Sequence, residues 1–134
     1  VEARYRAAIV GRVGALERLH GILEAFAEMV LNPPVRGGCP MLNAAVEADD
    51  AMPVLRDRVR RAMDGWRTTV KGIVERGLLE GQIRVGVNAD ELSSVLFSTL
   101  EGAVMLSKLY RDAVHIERAI VFLRSHLETL KPAP

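Results

Sequence analysis

The sequence predicts an all-α protein, because its apolar residues recur at helical spacing and strand signals are almost absent. A length of 134 residues fits one domain, and 49% hydrophobic with 26% charged residues is typical of a globular helical fold. The net charge of +1 gives no global attraction to nucleic acid. We therefore expect a single domain over residues 1–134, built from about six helices.

Three features bear on where the protein acts. No apolar run approaches the roughly 20 residues that span a bilayer, and no signal peptide is visible. The single cysteine, Cys39, excludes an internal disulfide framework and fits a reducing compartment. We expect a cytoplasmic protein without a membrane partner. The chain starts at Val1 and enters a helical pattern almost at once, which suggests a fragment whose upstream part is missing.

The first half of the chain contains several predicted helices. The second of them is amphipathic and is stopped by Pro33 and Pro34, because proline cannot continue the hydrogen-bond ladder. Pro40 suits the first turn of the third helix, and Asp49 and Asp50 are favourable caps before the fourth. The predicted helices are Glu2–Arg12, Ala15–Leu31, Met41–Ala48 and Pro53–Leu79.

Two more helices are predicted near the C-terminus, at Ala89–Asp112 and Ala113–Leu130. Asn88 begins a sequence that resembles a capping box, so it should start the first of them. Asp112 is expected to cap the second helix. The connector that precedes both helices is expected to be extended at Val85-Gly86-Val87.

The helix Ala89–Asp112 carries more apolar surface than one small domain can bury. A surface helix needs an apolar arc of a little over 100°, and this helix has roughly twice that. One side, with Leu92, Leu96, Phe97, Leu100, Ala103 and Val104, should face the domain itself. Of these, Leu96, Phe97, Leu100 and Val104 are expected to face the core or a pocket. The neighbouring side should face a second copy of the chain, at Val95, Thr99, Gly102, Leu106 and Leu109.

Few residues have the spacing that catalysis or metal binding requires. Glu17 and His20 have the Glu-x-x-His spacing of di-iron bundles, but no second such motif exists, so a border histidine is the simpler interpretation. His115 and His126 share a face of the last helix and could meet symmetry mates across a dimer. No Ser-His-Asp order, Gly-rich phosphate loop or paired zinc motif is present. We expect no enzymatic activity, cofactor or metal.

The remaining candidates allow a structural and a functional interpretation. Cys39 has no obvious catalytic base, so we expect it to line a cavity or simply to pack. The arginine run at 56–61 is interleaved with aspartate, which favours a solvated helix face. Met63 and Trp66 share an inner helix stripe, which is typical of a core but also of ligand cavities between helices.

Three segments carry a family resemblance in their order and spacing: residues 36–47 (RGGCPMLNAAVE), 77–84 (GLLEGQIR) and 100–110 (LEGAVMLSKLY). With Trp66 at mid-helix, they resemble the C-terminal domain of TetR-family transcriptional repressors. The resemblance covers most of residues 37–130, whereas the first 30 residues match in helical character alone.

The resemblance implies an all-α effector-binding and dimerisation domain, whose last two helices form a four-helix bundle with those of a partner. It also implies a small, mostly apolar effector and a homodimer. Operator DNA would be read by an N-terminal helix-turn-helix domain, which is absent before Val1 in this chain. We therefore expect effector binding to release the parent repressor from its operator, and no DNA binding by this chain alone.

On that basis the site residues form two groups. The effector is expected to contact Phe26, Met29, Val30, Cys39, Met41, Leu42, Asn43, Met63, Trp66, Arg67, Val70, Leu100 and Val104. The dimer is expected to use Val95, Thr99, Gly102, Leu106, Leu109, Ala119, Phe122, Leu123 and His126. Two alternatives stay open: a dimerisation or protein-interaction module without a small-molecule ligand, and a helical-bundle enzyme or metal carrier.

Overall fold

The structure is a computed structural model that describes residues 2–33, 37, 39–48 and 51–134. Within these residues it contains six helices and no strand, which confirms the all-α prediction. The helices are α1 (Glu2–Ile9), α2 (Ala15–Leu31), α3 (Pro40–Glu47), α4 (Pro53–Leu79), α5 (Ala89–Tyr110) and α6 (Val114–Glu128).

The bounds of the central helices follow from proline. α2 ends just before Pro33 and α4 begins at Pro53, so both helices have their predicted bounds. α3 is shifted by one residue from its predicted range, because Pro40 itself occupies the first helical position. Asp49 and Asp50, the expected caps of α4, lie outside the described residues.

The outer helices are shorter than predicted. α1 ends at Ile9 rather than Arg12, and the chain then passes through Gly11 at a φ of +80°. α5 ends at Tyr110 rather than Asp112, because Arg111 adopts the left-handed conformation with a φ of +51°. α6 covers Val114–Glu128 rather than the longer predicted range.

Two side-chain caps fix the start of the last two helices, as predicted. The N–H of Glu91 donates to Asn88 Oδ1 at 2.9 Å, and the N–H of Val114 donates to Asp112 Oδ1 at 2.9 Å. The connector before α5 differs from its prediction. Val85 and Gly86 form a turn rather than an extended segment, because Gly86 has a φ of +94°, a conformation that favours glycine.

The hydrophobic core lies between α2, α4, α5 and α6, with α1 packed on α2 and α3 packed on α4. Apolar side chains from all four core helices are buried together, and burial of such area is the main stabilising term. Those with almost no exposed surface include Leu19, Leu23, Phe26, Val70, Val74, Leu96, Leu100, Ile116 and Leu127.

The C-terminal end of α4 approaches its neighbours too closely for any side chain at Gly77. A Cβ there would lie 2.6 Å from the Ala15 side chain and 2.8 Å from Ile83 Cδ1. Beside this contact the N–H of Ala15 donates to Gln82 Oε1 at 2.9 Å. The start of α2, the end of α4 and the following turn are therefore locked together.

α5 is long and apolar enough to cross a bilayer on length and composition alone, which the sequence analysis did not anticipate. Its most apolar 18 residues have a mean hydropathy of 1.2, and 44% of that stretch is buried in the fold. Helices at the centre of a globular core pass the same test. Here one side of α5 packs in the core, and the rest of its apolar surface is exposed.

Candidate functional site

A cleft of about 440 Å³ opens between α3, α4 and α5. This volume lies within the range of small-molecule sites, about 300–1,000 Å³. Apolar side chains make up most of its surface, with polar and charged groups among them. Its lining residues are Ala45, Ala48, Arg56, Val59, Arg60, Met63, Asp64, Arg67, Ser94 and Phe97.

The N-terminal half of α4 forms the longest wall of the cleft. Val59 and Met63 give this wall its apolar surface, and Arg56, Arg60 and Arg67 give it positive charge. At about 100° per residue the three arginines fall within about 40° of one another, so they form one line along the helix. The wall is therefore apolar and cationic at the same time.

An aromatic stack connects the cleft with the interior. Phe97 lines the cleft on the α5 side, and its ring meets the Trp66 ring edge-to-face at a centroid distance of 4.6 Å. On the other side of Trp66 lies Tyr5 of α1, with ring centroids 6.3 Å apart. A change in the position of Phe97 would thus reach α1 through direct contacts.

A buried polar pair lies one turn of α5 beyond Phe97. The Cys39 thiol donates to Glu101 Oε1 at 3.2 Å, while Glu101 Oε2 is buried and has no partner among the described residues. Glu101 is only 5% exposed, and burial raises the pKa of its carboxyl, although the bond from Cys39 opposes that shift. Burial also raises the pKa of the Cys39 thiol. This thiol is therefore poorly suited to act as a nucleophile.

The residues before α3 are attached directly to α5. Lys108 Nζ and Asn43 Nδ2 both donate to the carbonyl oxygen of Gly37, each at 2.7 Å. Together with the contact between Cys39 and Glu101, these bonds join one border of the cleft to the helix that carries the exposed apolar face.

The structure separates the expected effector contacts into three groups. Met63 and Arg67 line the cleft, and Trp66 lies directly behind it against Phe97. Four others are buried in the hydrophobic core: Phe26, Val70, Leu100 and Val104. The remaining six are partly buried on α2 and α3 or just before α3: Met29, Val30, Cys39, Met41, Leu42 and Asn43.

Sequence reasoning missed most of the cleft. The arginine run is exposed, as expected, but its use as a cleft wall was not predicted: Arg56 and Arg60 line the cleft, while Arg58 and Arg61 lie elsewhere on the helix. The spacing of Arg56, Arg60 and Arg67 was a usable signal for this shared face. Nothing in the sequence indicated that α3 would end before it covered this face of α4. The other lining residues that were not predicted are Ala45, Ala48, Val59, Asp64 and Ser94.

A second feature is an apolar face on α5 and α6 that the protomer leaves exposed. Val95 is 53% exposed, Leu109 70% and Phe122 68%, although each is a large apolar side chain. Thr99, Gly102, Leu106, Ala119 and His126, which were expected at the same face, are partly or fully exposed. Nothing lies within 4 Å of a Cβ built on Gly102, so this helix surface is open.

The membership of this face differs from expectation in two respects. Leu123 is only 3% exposed, because it points into the core of its own protomer, so it cannot lie at the surface of a dimer contact. Three further apolar residues are exposed on the same two helices: Met105, Tyr110 and Val121. We call Val95, Met105, Leu106, Leu109, Val121 and Phe122 the α5–α6 apolar face.

The histidines have separate structural surroundings. His20 Nε2 lies 3.0 Å from Glu128 Oε1 and so connects α2 with α6. The His115 ring packs against Tyr110 at a centroid distance of 5.4 Å, and His126 is exposed. Over the described part of the chain, no three His, Cys, Asp or Glu side chains are grouped as metal ligands would be.

The all-α domain has an inter-helix cleft and an exposed apolar helix pair, the two features that the sequence resemblance implied. The chain matches the family described as "Tetracyclin repressor-like, C-terminal domain" over residues 15–123. It belongs to that family, and its relatives are TetR-family transcriptional regulators. This confirms the resemblance found in the sequence.

Individual relatives support the same assignment. An uncharacterised helix-turn-helix-type transcriptional regulator of Mycobacterium tuberculosis, Rv0196, is 29% identical over 111 residues, which is 78% of this chain and 54% of the relative. The chain thus spans about half the length of the curated relatives it matches.

Solved structures show the same fold. A TetR transcriptional regulator from Chloroflexus aurantiacus is 35% identical with a TM-score of 0.92, over 97% of this chain and 66% of that one. A TetR-family regulator from Cytophaga hutchinsonii is 20% identical with a TM-score of 0.84, over 97% of this chain and 65% of that one, and shows the fold alone.

Proposed function

We propose that the chain is the effector-binding and homodimerisation domain of a cytoplasmic TetR-family regulator, whose parent protein leaves its operator when a small molecule binds. The observation that carries the proposal is the position of α5. Its residues Ser94 and Phe97 line the cleft, whereas Val95 and Leu109 belong to the α5–α6 apolar face. One rigid helix therefore contributes to both a ligand-sized cavity and a surface that calls for a partner.

The α5–α6 apolar face fits a second copy of the chain. Two neighbouring helices that expose a continuous apolar stripe can pair with their symmetry mates and bury it in a four-helix bundle. Polar neighbours such as Ser98 and Ser125, together with the small residue Gly102, would let the helix backbones approach closely. Dimerisation would account for apolar surface that is unfavourable in water.

The proposed mechanism is a shift between two arrangements of the dimer. A ligand shifts such an equilibrium only by the difference in its affinity for the two states. In the parent protein, a movement of Phe97 would pass through Trp66 to Tyr5 on α1. Two recognition helices must meet half-sites about 34 Å apart, so a small rotation of each protomer would weaken operator binding.

Burial raises the pKa of the Cys39 thiol, which argues against a nucleophilic role for this residue. The alternative is a dimerisation module without a ligand, and the experiments below would favour it if the chain dimerised but bound no small molecule.

Sedimentation equilibrium of the 134-residue chain tests the dimer directly. We expect a dimer at micromolar concentration, and Phe122→Asp should raise the dissociation constant at least about tenfold, because a charge would be buried in the bundle. Val85→Asp is the matched control. Val85 is 93% exposed on the connector before α5, so this variant should dimerise normally. A monomeric wild type, or equal effects of the two substitutions, would contradict the proposal.

A second variant tests the packing of helix on helix. Gly102→Leu places a branched side chain on α5 at a point where an added Cβ meets nothing within 4 Å. It should leave the fold of the protomer intact and weaken the dimer by steric overlap. Unchanged dimerisation would mean that Gly102 lies outside the contact between the two protomers.

A further inference from the structure

The charge of the cleft specifies its ligand more narrowly than its shape does. Three arginines and one aspartate line it: Arg56, Arg60, Arg67 and Asp64. Arg60 also makes a long contact of 3.8 Å with Asp57, an exposed pair that contributes little. Among the described lining residues, three cationic side chains accompany one carboxylate, on a surface that is otherwise mostly apolar.

Arg67 differs from the other two arginines in its depth. Arg56 and Arg60 are exposed, whereas Arg67 is half-buried and its Nε atom is fully buried without an acceptor among the described residues. A buried N–H donor without a partner is unfavourable, and an acidic group that reached it from the cleft would remove that cost. A carboxylate is well matched to a guanidinium, because its two oxygens can accept from two parallel N–H donors.

The apolar part of the ligand has a matching surface. Val59, Met63 and Phe97 lie in the same cleft as Arg67, with Ala45 and Ala48 on the facing helix. An acyl chain or an aromatic ring placed there would be removed from water next to the guanidinium. The exposed guanidinium of Arg60 would raise the local concentration of an anion at the cleft.

We infer that the cleft between α3, α4 and α5 binds an anionic amphiphile, an apolar body with a carboxylate or similar acidic head held by Arg67. This inference rests on the proposed effector-binding function and narrows it to one class of ligand. A free carboxylic acid and an acidic conjugate of an acyl group share this chemistry, and the probes below distinguish them.

The chain contains one tryptophan, and it lies at the right place to report binding. Trp66 packs against Phe97, a cleft residue, with ring centroids 4.6 Å apart. Its fluorescence can be titrated with decanoate, decyl phosphate, decanol and decyltrimethylammonium. These probes have the same chain length and differ in their heads.

We expect decanoate to perturb Trp66 and to bind more tightly than decanol or decyltrimethylammonium. Tighter binding of decyl phosphate than of decanoate would identify an acidic conjugate as the natural ligand. Arg67→Gln should weaken decanoate binding about tenfold or more, because the charged hydrogen bond is lost. Arg58→Gln on the opposite side of α4 is the matched control and should bind decanoate like the wild type. Retained decanol binding by Arg67→Gln would show that its cleft is intact.

Two results would overturn the inference, in distinguishable ways. Equal affinity for all four probes, with no difference between Arg67→Gln and Arg58→Gln, would leave an effector site but not an anion site. If none of the probes perturbed Trp66, the inference would fail together with the effector half of the proposed function, while the dimer would still be judged by sedimentation.

Discussion

The two halves of α4 lie in different surroundings although they belong to one continuous helix. In the C-terminal half, every inward position from Trp66 to Gly77 is buried against α2 or α5. In the N-terminal half, no residue between Pro53 and Arg61 is buried, and Val54 is 66% exposed. α4 is thus anchored at one end and borders an open cleft at the other.

The difference shows how a small helical domain can combine a stable core with a responsive site. Local stability varies along a structure with the number of buried contacts, and binding regions come from the less stable end of that range. The close contact at Gly77 fixes the C-terminal end of α4. Ligand binding would therefore affect the N-terminal half of α4, while the C-terminal half stays in place.

The largest effect is expected from Gly77→Ala. The new Cβ would overlap with Ala15 and Ile83, so the free energy of unfolding should fall by about 2–3 kcal/mol. Urea denaturation at one fixed protein concentration measures this, because dimerisation contributes to apparent stability. A change below about 0.5 kcal/mol would mean that the two halves of α4 are equally loosely packed.

A pair of valine truncations compares the two halves directly. Val70→Ala removes two buried methyl groups and should destabilise the protein by about 2 kcal/mol, through lost burial and a small cavity. Val54→Ala changes an exposed side chain and should stay within about 0.5 kcal/mol. If both variants lost a similar free energy of unfolding in the same assay, the two halves of α4 would not differ in packing.

A substitution at Glu101 tests the polar contact between Cys39, just before α3, and Glu101 on α5. A carboxyl with a raised pKa in the folded state favours folding below its ordinary pKa, and that advantage is lost as the pH rises through the raised value. Glu101→Gln keeps the neutral form at every pH. The variant should therefore be more stable than the wild type near neutral pH, and this advantage should shrink as the pH falls towards 4. Thermal unfolding across this pH range measures the difference, and a constant offset would contradict it.

The smallest change in the free energy of unfolding is expected from Gly65→Ala, which should stabilise the protein. A Cβ on Gly65 meets nothing within 4 Å, and Gly65 lies at mid-helix near the cleft. Gly65→Ala should stabilise the protein by about 0.5–1 kcal/mol, because alanine loses less backbone entropy in a helix. Destabilisation in the urea assay would indicate that this half of α4 is packed after all.

The sequence predicted the fold well where local chemistry decides the structure. Pro33, Pro53 and Asn88 are local signals, so the ends of α2 and the starts of α4 and α5 could be located from the residues alone. The exposed apolar side of α5 was also predictable, because helical periodicity separates it from the core side.

The cleft could be predicted only in part, because it depends on how separate helices meet. Met63 and Arg67 were found through their helix face, and Phe97, expected to face the core or the pocket, lies at both. Ala45 and Ala48 were missed because their place in the cleft depends on where α3 stops. The contact between Cys39 and Glu101 joins residues 62 positions apart, and no local pattern reports it. Leu123 was misplaced because the core stripe and the exposed stripe of α6 are close neighbours on the helical wheel.

Hydrogen exchange along α4, measured by mass spectrometry with and without decanoate, tests the central claim most directly. In the free protein, amides of residues 57–63 should exchange much faster than those of residues 70–78, which are held by the core. Decanoate should slow the first group and leave the second unchanged. Uniform exchange along the whole helix, or no response of residues 57–63 to the ligand, would contradict the division of α4 into an anchored half and a ligand-binding half.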